Sequence, residues 1–257
     1  MSTVVAVTGK GGTGKTTVSG LLIRYLTHNG KRPVLAVDAD PDSNLPEALG
    51  MAGDRTLGTI GRARQEFFDS KGDVPAGMPK EAFLELRLNQ ILVESKDIDL
   101  LVMGRPEGSG CYCYINNILR KYLEMLGKNY PFVIIDNEAG LEHLSRRTAQ
   151  DIDHLVVVSD YSLNGLRAAV RIKELAEEMK LCVTTCSLIV NCAPQDVSPR
   201  FIEEIEKTGM PLLGFVPENA SVPEYDIEEK ALTSLPDESP VVAAVCDIAQ
   251  KLFSNGG

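Results

Sequence analysis

The chain has 257 residues, of which 44% are hydrophobic and 24% charged, with 26 Lys and Arg against 36 Asp and Glu. That balance excludes disorder, a collagen repeat and a coiled coil as descriptions of the whole chain. A formal net charge of −10 also disfavours nucleic-acid binding, which needs clustered cations to neutralise phosphates.

No apolar run approaches the ~20 residues of a membrane span. Met1 leads almost at once into a short apolar stretch and a glycine-rich loop, without a basic leader. The expectation is a cytoplasmic chain with no membrane partner. Its six cysteines are then thiols, metal ligands or redox groups rather than structural disulfides. Short apolar runs alternate with helical periods, which predicts an α/β fold: one domain over 1–257, a mostly parallel sheet flanked by helices on both faces.

In chain order, Val4 to Val7 reads as a strand and Thr16 to Asn29 as a helix closed by Gly30. Val34 to Val37 is a second strand, stopping at Asp38. Leu45 to Leu92 holds helical fragments and a loop from Gly72 to Pro79. Ile98 to Met103 is a strand, Gly104 to Gly110 a loop, Ile115 to Leu126 a helix, and Phe132 to Ile135 a strand ending at Asp136. Leu155 to Val158, Leu188 to Val190 and Leu212 to Val216 are further strands, with a helix from Leu163 to Met179 and a last one from Pro240 to Phe253.

Gly9-Lys10-Gly11-Gly12-Thr13-Gly14-Lys15-Thr16 fits the P-loop pattern G-x-x-x-x-G-K-[ST], with a strand before it and a helix after. The glycines let the backbone wrap phosphates with its N–H groups inward, and the helix adds its positive end. Lys15 is expected on the β- and γ-phosphates, the Thr16 hydroxyl on Mg²⁺, and Thr17 beside them. Asp38 and Asp40 follow one strand and Asp136 another. Carboxylates at strand ends beside a phosphate loop suit Mg²⁺ and water.

Cys111 and Cys113 follow Gly108-Ser109-Gly110. In an extended segment, side chains at i and i+2 point the same way, so two thiolates can grip one soft metal, Ni²⁺ or Zn²⁺. A symmetric dimer would bring four together on its axis. Cys182, Cys186, Cys192 and Cys246 read as small buried hydrophobes.

The second lysine, Lys10, makes this loop resemble the deviant P-loop of the ATPase family that includes nitrogenase iron protein and the arsenite-pump, septum-site and partition ATPases. The resemblance covers nearly the whole chain. It implies a homodimer in which Lys10 reaches the partner's nucleotide. It also implies that Asp38 lies near the Mg²⁺ shell, Asp40 orients the attacking water, Asp136 holds Mg²⁺ through water, and Gly140 approaches the γ-phosphate. Asn191 and Pro217-Glu218 match the family's base-contact positions. With Asp-Ala-Asp-Pro-Asp-Ser, Cys-Tyr-Cys and Asp-Asn-Glu-Ala-Gly-Leu-Glu-His-Leu added, the pattern resembles the CooC-type nickel-insertion ATPases. That implies ATP-driven delivery of nickel to a carbon monoxide dehydrogenase or acetyl-CoA synthase client. Two other classes in the family compete. An iron–sulfur carrier needs two well-separated cysteines or a C-x-x-C. A spatial-positioning ATPase needs a basic membrane-binding tail or a basic DNA-binding face.

Overall fold

Valine, isoleucine and leucine dominate the strand segments, and β-branched side chains suit a pleated surface covered on both faces. A computed structural model describes residues 2–40, 42–52, 59, 78–104, 126–137 and 152–254. The strands are β1 (Thr3–Gly9), β2 (Val34–Asp38), β3 (Ile98–Val102), β4 (Phe132–Asp136), β5 (Ile152–Asp160), β6 (Val183–Ala193) and β7 (Leu212–Pro217). They form one seven-stranded sheet in the order β3-β2-β4-β1-β5-β6-β7. Every paired neighbour is parallel.

The helices are α1 (Lys15–His28), α2 (Leu45–Leu49), α3 (Lys80–Ile91), α4 (Leu163–Glu178), α5 (Pro199–Lys207), α6 (Ser221–Ile227) and α7 (Pro240–Ser254), with a 3₁₀ turn at Leu232–Ser234. Strand side chains alternate between two cores. Val5, Val7, Ile134 and Val156 pack with Val18, Leu22 and Leu26 of α1 and with Val245 and Ile248 of α7. Val4, Ala6, Ile135 and Val157 pack with Leu166, Ala169 and Ile172 of α4, Phe201 of α5 and Leu88 of α3.

From β1 the chain passes through α1 to β2, on one side. After β4 the next strand is β5, on the other side of β1. The chain order therefore reverses about β1, and the carboxyl ends of the strands at such a reversal are where open α/β sheets bind ligands.

The expected strands are present, most of them longer than their apolar centres. Leu188 to Val190 is the middle of an eleven-residue strand whose first residues are largely polar and partly exposed. Helix α5 was not foreseen, although Ser198 with Pro199 is a start signal: the Ser198 hydroxyl accepts from the Phe201 N–H at 3.3 Å. Within 45–92, α2 and α3 are the helical fragments. The predicted helix from Ile115 to Leu126 lies outside the described residues, save Leu126. Of the loop from Gly104 to Gly110 only Gly104 is described, and of that from Gly72 to Pro79 only Met78 and Pro79.

The expectation that Cys182, Cys186, Cys192 and Cys246 are buried is corrected. Cys182 and Cys192 are exposed, and the other two are half-buried. Cys182 precedes β6 on the turn after α4. Cys192 sits at the carboxyl end of β6 with φ 51°, outside the packed faces. Among the described residues, no helix is long and apolar enough to cross a membrane.

Candidate nucleotide site

The loop between β1 and α1 starts at Gly9, where a Cβ would lie 2.2 Å from the Val158 carbonyl oxygen of β5, so only glycine fits. The Lys10 carbonyl is the hub of the turn. It accepts from the Thr13 hydroxyl at 2.8 Å, the Thr13 N–H at 3.3 Å and the Lys15 ammonium at 3.4 Å. The Lys15 side chain is buried, whereas Lys10 is exposed. Helix α1 starts from Gly14 at φ 83°, with no side chain capping it. Its first N–H groups are therefore left for an anion.

Below the loop, the Asp136 carboxylate accepts from the Thr16 hydroxyl at 2.7 Å and the Ser19 hydroxyl at 3.0 Å. Ser19 was not foreseen. Its signal is helical spacing, since i and i+3 share a face with Thr16. Asp38 stands opposite Asp136 in the β2–β4 register and accepts from the backbone N–H groups of Asp40 at 3.0 Å and Leu45 at 3.1 Å. Half-buried Asp40 turns its carboxylate to the Asp42 N–H at 2.9 Å.

Both buried carboxyls hold protons more tightly than usual. Burial, and then the charge of Asp136, push Asp38 up to about 7. Burial pushes Asp136 up to about 6, against the hydroxyls of Thr16 and Ser19 and the Lys15 charge. The Asp136 charge adds to burial in holding the proton on Asp38. Two carboxyls and a hydroxyl, all hard oxygen donors beside a lysine, fit Mg²⁺ carried in with a polyphosphate.

Asn191 ends beside the same loop. Its amide N–H donates to the Thr13 carbonyl at 2.9 Å and crowds Gly14, whose Cβ would lie 2.1 Å away. This contact with the loop backbone was not foreseen. Pro217 pairs with Ala193 at the end of β7, and exposed Glu218 follows, its N–H on the Ala193 carbonyl at 3.3 Å. The structure thus brings Asn191, Pro217 and Glu218 to one edge. Burial, and then Glu218 and Asp160, raise the neighbouring Cys192 thiol above its usual range.

Gly140, Cys111 and Cys113 lie outside the described residues. Among the described residues, no group of three or more His, Cys, Asp or Glu could hold a metal ion.

The family model for the CobQ/CobB/MinD/ParA nucleotide-binding domain matches residues 4–232. An ATP-binding protein of Methanocaldococcus jannaschii, MJ0685, is 44% identical over 98% of each chain. The carbon monoxide dehydrogenase accessory protein CooC of Rhodospirillum rubrum is 34% identical over 86% of each. Among solved structures, the MinD cell division protein of Aquifex aeolicus superposes with a TM-score of 0.72 at 22% identity, covering 98% of this chain and 97% of that one. This last likeness concerns the fold alone. The chain belongs to the CobQ/CobB/MinD/ParA family of nucleotide-binding P-loop ATPases.

Proposed function

We propose that this single-domain chain is a dimeric ATPase that carries nickel, as cargo, to a carbon monoxide dehydrogenase or acetyl-CoA synthase. The observation that carries the nucleotide half is the hydrogen-bonded set Thr16–Asp136–Ser19 beneath an uncapped helix start. The nickel half rests on the Cys111–Cys113 pair and on the relationship with CooC, itself an accessory protein of carbon monoxide dehydrogenase.

In this reading, the N–H groups of Gly11, Gly12, Thr13 and Gly14 cradle the phosphates, and those of Thr16 and Thr17 close the end. Lys15 neutralises the β- and γ-phosphates. Thr16 holds the Mg²⁺ brought with ATP, with Asp38 and Asp136 behind it. Bound Mg²⁺ supplies Lewis-acid polarisation of the phosphoryl oxygens. Asn191, Pro217 and Glu218 border the base, and Gly140 senses the γ-phosphate.

Asp40 orients the attacking water. Lys10 of each chain completes the partner's site, so ATP favours the closed dimer. Closure brings the four thiols of two Cys111–Cys113 pairs together around the nickel, or around zinc in its place. Hydrolysis removes the γ-phosphate, loosens the dimer and releases the metal to the client.

The test is a Ni²⁺ titration of reduced protein with molecular mass followed in parallel. Wild type and a Cys111→Ser, Cys113→Ser variant are each measured without nucleotide, with ADP and with a non-hydrolysable ATP analogue. One tight metal per dimer, sensitive to nucleotide and absent from the variant, is expected. Equal metal binding in both proteins would return the chain to the generic dimeric ATPases.

A further inference from the structure

A cavity of about 730 Å³ runs beside α4, from the phosphate loop at Lys10 to Glu178 at the end of the helix. The loop stands near the start of α4, because Gly9 registers with Val158 and β5 leads into the helix. Arg167 and Arg171, one turn apart on one helix face, therefore share the loop end of the cavity with Lys10. Val170 and Leu175 make the lining partly apolar, and Glu174 and Glu178 line the part further along the helix. All three cations are exposed, and none forms an ion pair among the described residues, although acids outnumber bases by 36 to 26 over the chain. Arg167 reaches only the Asn164 side chain, at 3.4 Å. Unpaired cations at the end of a partly apolar groove suit an acidic occupant that also offers an apolar side chain.

The chain carries that complement on its other face. Helix α6 packs on the opposite core through half-buried Val222 and Tyr225. Its last residue, Ile227, is 81% exposed, the most exposed large hydrophobic side chain among the described residues. Exposed Glu224, Asp226 and Glu229 flank it in sequence and form no ion pair among the described residues, while Glu228 is held by Lys230 at 2.6 Å. The sheet separates α6 from α4, whose Leu166, Ala169 and Ile172 belong to the other core. Ile227 therefore cannot fill the groove of its own chain. A second copy can bring the two together. Helix α6 starts three residues after Glu218, at the edge assigned above to the base. In that reading Lys10 of one chain reaches the partner's nucleotide, and the same approach carries the Lys10 end of the groove toward the partner's α6.

We propose that, in the ATP-bound dimer, the end of α6 of each chain seats in the α4 groove of its partner. Ile227 covers the apolar lining at Val170 and Leu175, and Asp226 and Glu229 meet Arg167 and Arg171. This rests on the dimeric ATPase reading above. Two-fold symmetry makes the contact twice, once in each direction. It ties closure of the dimer to the base edge, since β7 leads through Glu218 into α6. Glu174 and Glu178 in the same groove, with a net charge of −10, disfavour a nucleic acid there.

The experiment uses two charge-reversed chains. One carries Arg167→Glu and Arg171→Glu, the other Asp226→Lys and Glu229→Lys. These side chains are exposed, so each reversed chain should melt as wild type does. Mass is followed by sedimentation with Mg²⁺ and a non-hydrolysable ATP analogue. Each reversed chain by itself meets like charge at both contacts, and its dimer should weaken by about 10²-fold or more. Mixed in equal amounts, the two should recover a heterodimer close to wild-type strength, because acid then meets base at both contacts. Ile227→Ser, which changes no charge, should weaken the dimer by about tenfold. Where a reversed chain melts early, the single reversals Arg171→Glu and Asp226→Lys repeat the comparison. Reversed chains that dimerise as wild type does would overturn the inference and leave the ATPase reading standing, with the groove free for a separate acidic protein. Weakened chains that do not recover on mixing would overturn it too, since the reversed charges then do not face each other. A wild type that stays monomeric with the analogue would remove the dimeric reading itself, and this contact with it.

Discussion

Asp38 and Asp136 are registered partners on adjacent parallel strands, both almost wholly buried, and the charge of one holds the proton on the other. The pair is poised to ionise when a cation arrives and to stay partly protonated otherwise.

Their pKa values set the sign of a pH effect. Both carboxyls are raised from 3.8 in the folded chain, Asp38 to about 7 and Asp136 to about 6. The folded chain then binds more protons than the unfolded one across this window. The stability these groups contribute is complete below 3.8 and is lost as pH rises through about 7. Protein free of nucleotide and Mg²⁺ is expected to melt at a lower temperature near neutrality than in mild acid. Asp38→Asn should flatten that slope. A melting profile unchanged by the substitution would refute the assignment. Mg²⁺ binding runs the other way, strengthening as pH rises, because it needs the ionised pair.

Asn191 and Gly14 form a coupled pair. Asn191→Ala leaves the Thr13 carbonyl without its donor, and should cost about 1–3 kcal/mol and loosen nucleotide binding. Gly14→Ala drives a methyl group into the Asn191 amide and also strains a backbone at φ 83°. Removing Asn191 as well relieves the clash but not the strain of about 1–2 kcal/mol at that φ. Denaturant melts of the two single variants and the double variant should therefore be non-additive. Strict additivity would show that the two positions do not meet.

Lys10 is exposed, and only its backbone carbonyl serves the loop of its own chain. Lys10→Ala should keep ADP affinity and melting temperature. It should lose the ATP-driven dimer and at least about 10²-fold in turnover, the scale of losing one charge-stabilising donor. Mass measurements with ADP and with a non-hydrolysable ATP analogue would decide this. A dimer that still forms normally on the analogue would remove the trans role.

Arg24 of α1 is buried, and its ion pair is to the exposed Asp237 at 2.7 Å. Its Nε and Nη1 atoms have no partner among the described residues. Asp237→Ala strands the buried charge and should destabilise by roughly 1–2 kcal/mol, less than a fully buried pair because Asp237 is bathed in solvent. Arg24→Met, similar in volume and uncharged, should be close to neutral by urea titration. A large loss from the methionine variant would mean that Arg24 makes contacts beyond this pair.

The order of the strands, the helices at Lys15–His28, Leu163–Glu178 and Pro240–Ser254, the phosphate loop and the acidic strand ends were legible in the sequence. Each is written in local terms: a period of apolar residues, a glycine spacing, a carboxylate where a buried run stops. Helix α5 was equally local and went unread, since Ser198 and Pro199 announce it. The tertiary structure alone decided the rest. No local pattern says that β4 lies between β1 and β2, and only that pairing sets Asp136 beside Asp38 and above Thr16 and Ser19. The amide of Asn191 braces the loop because β6 ends next to β5. The side-chain amide N–H₂ of buried Asn137 reaches the Val7 carbonyl at 3.0 Å because β1 is its neighbour. Burial then raises the carboxyl pKa values. Those are consequences of long-range packing, which a single chain of letters does not display.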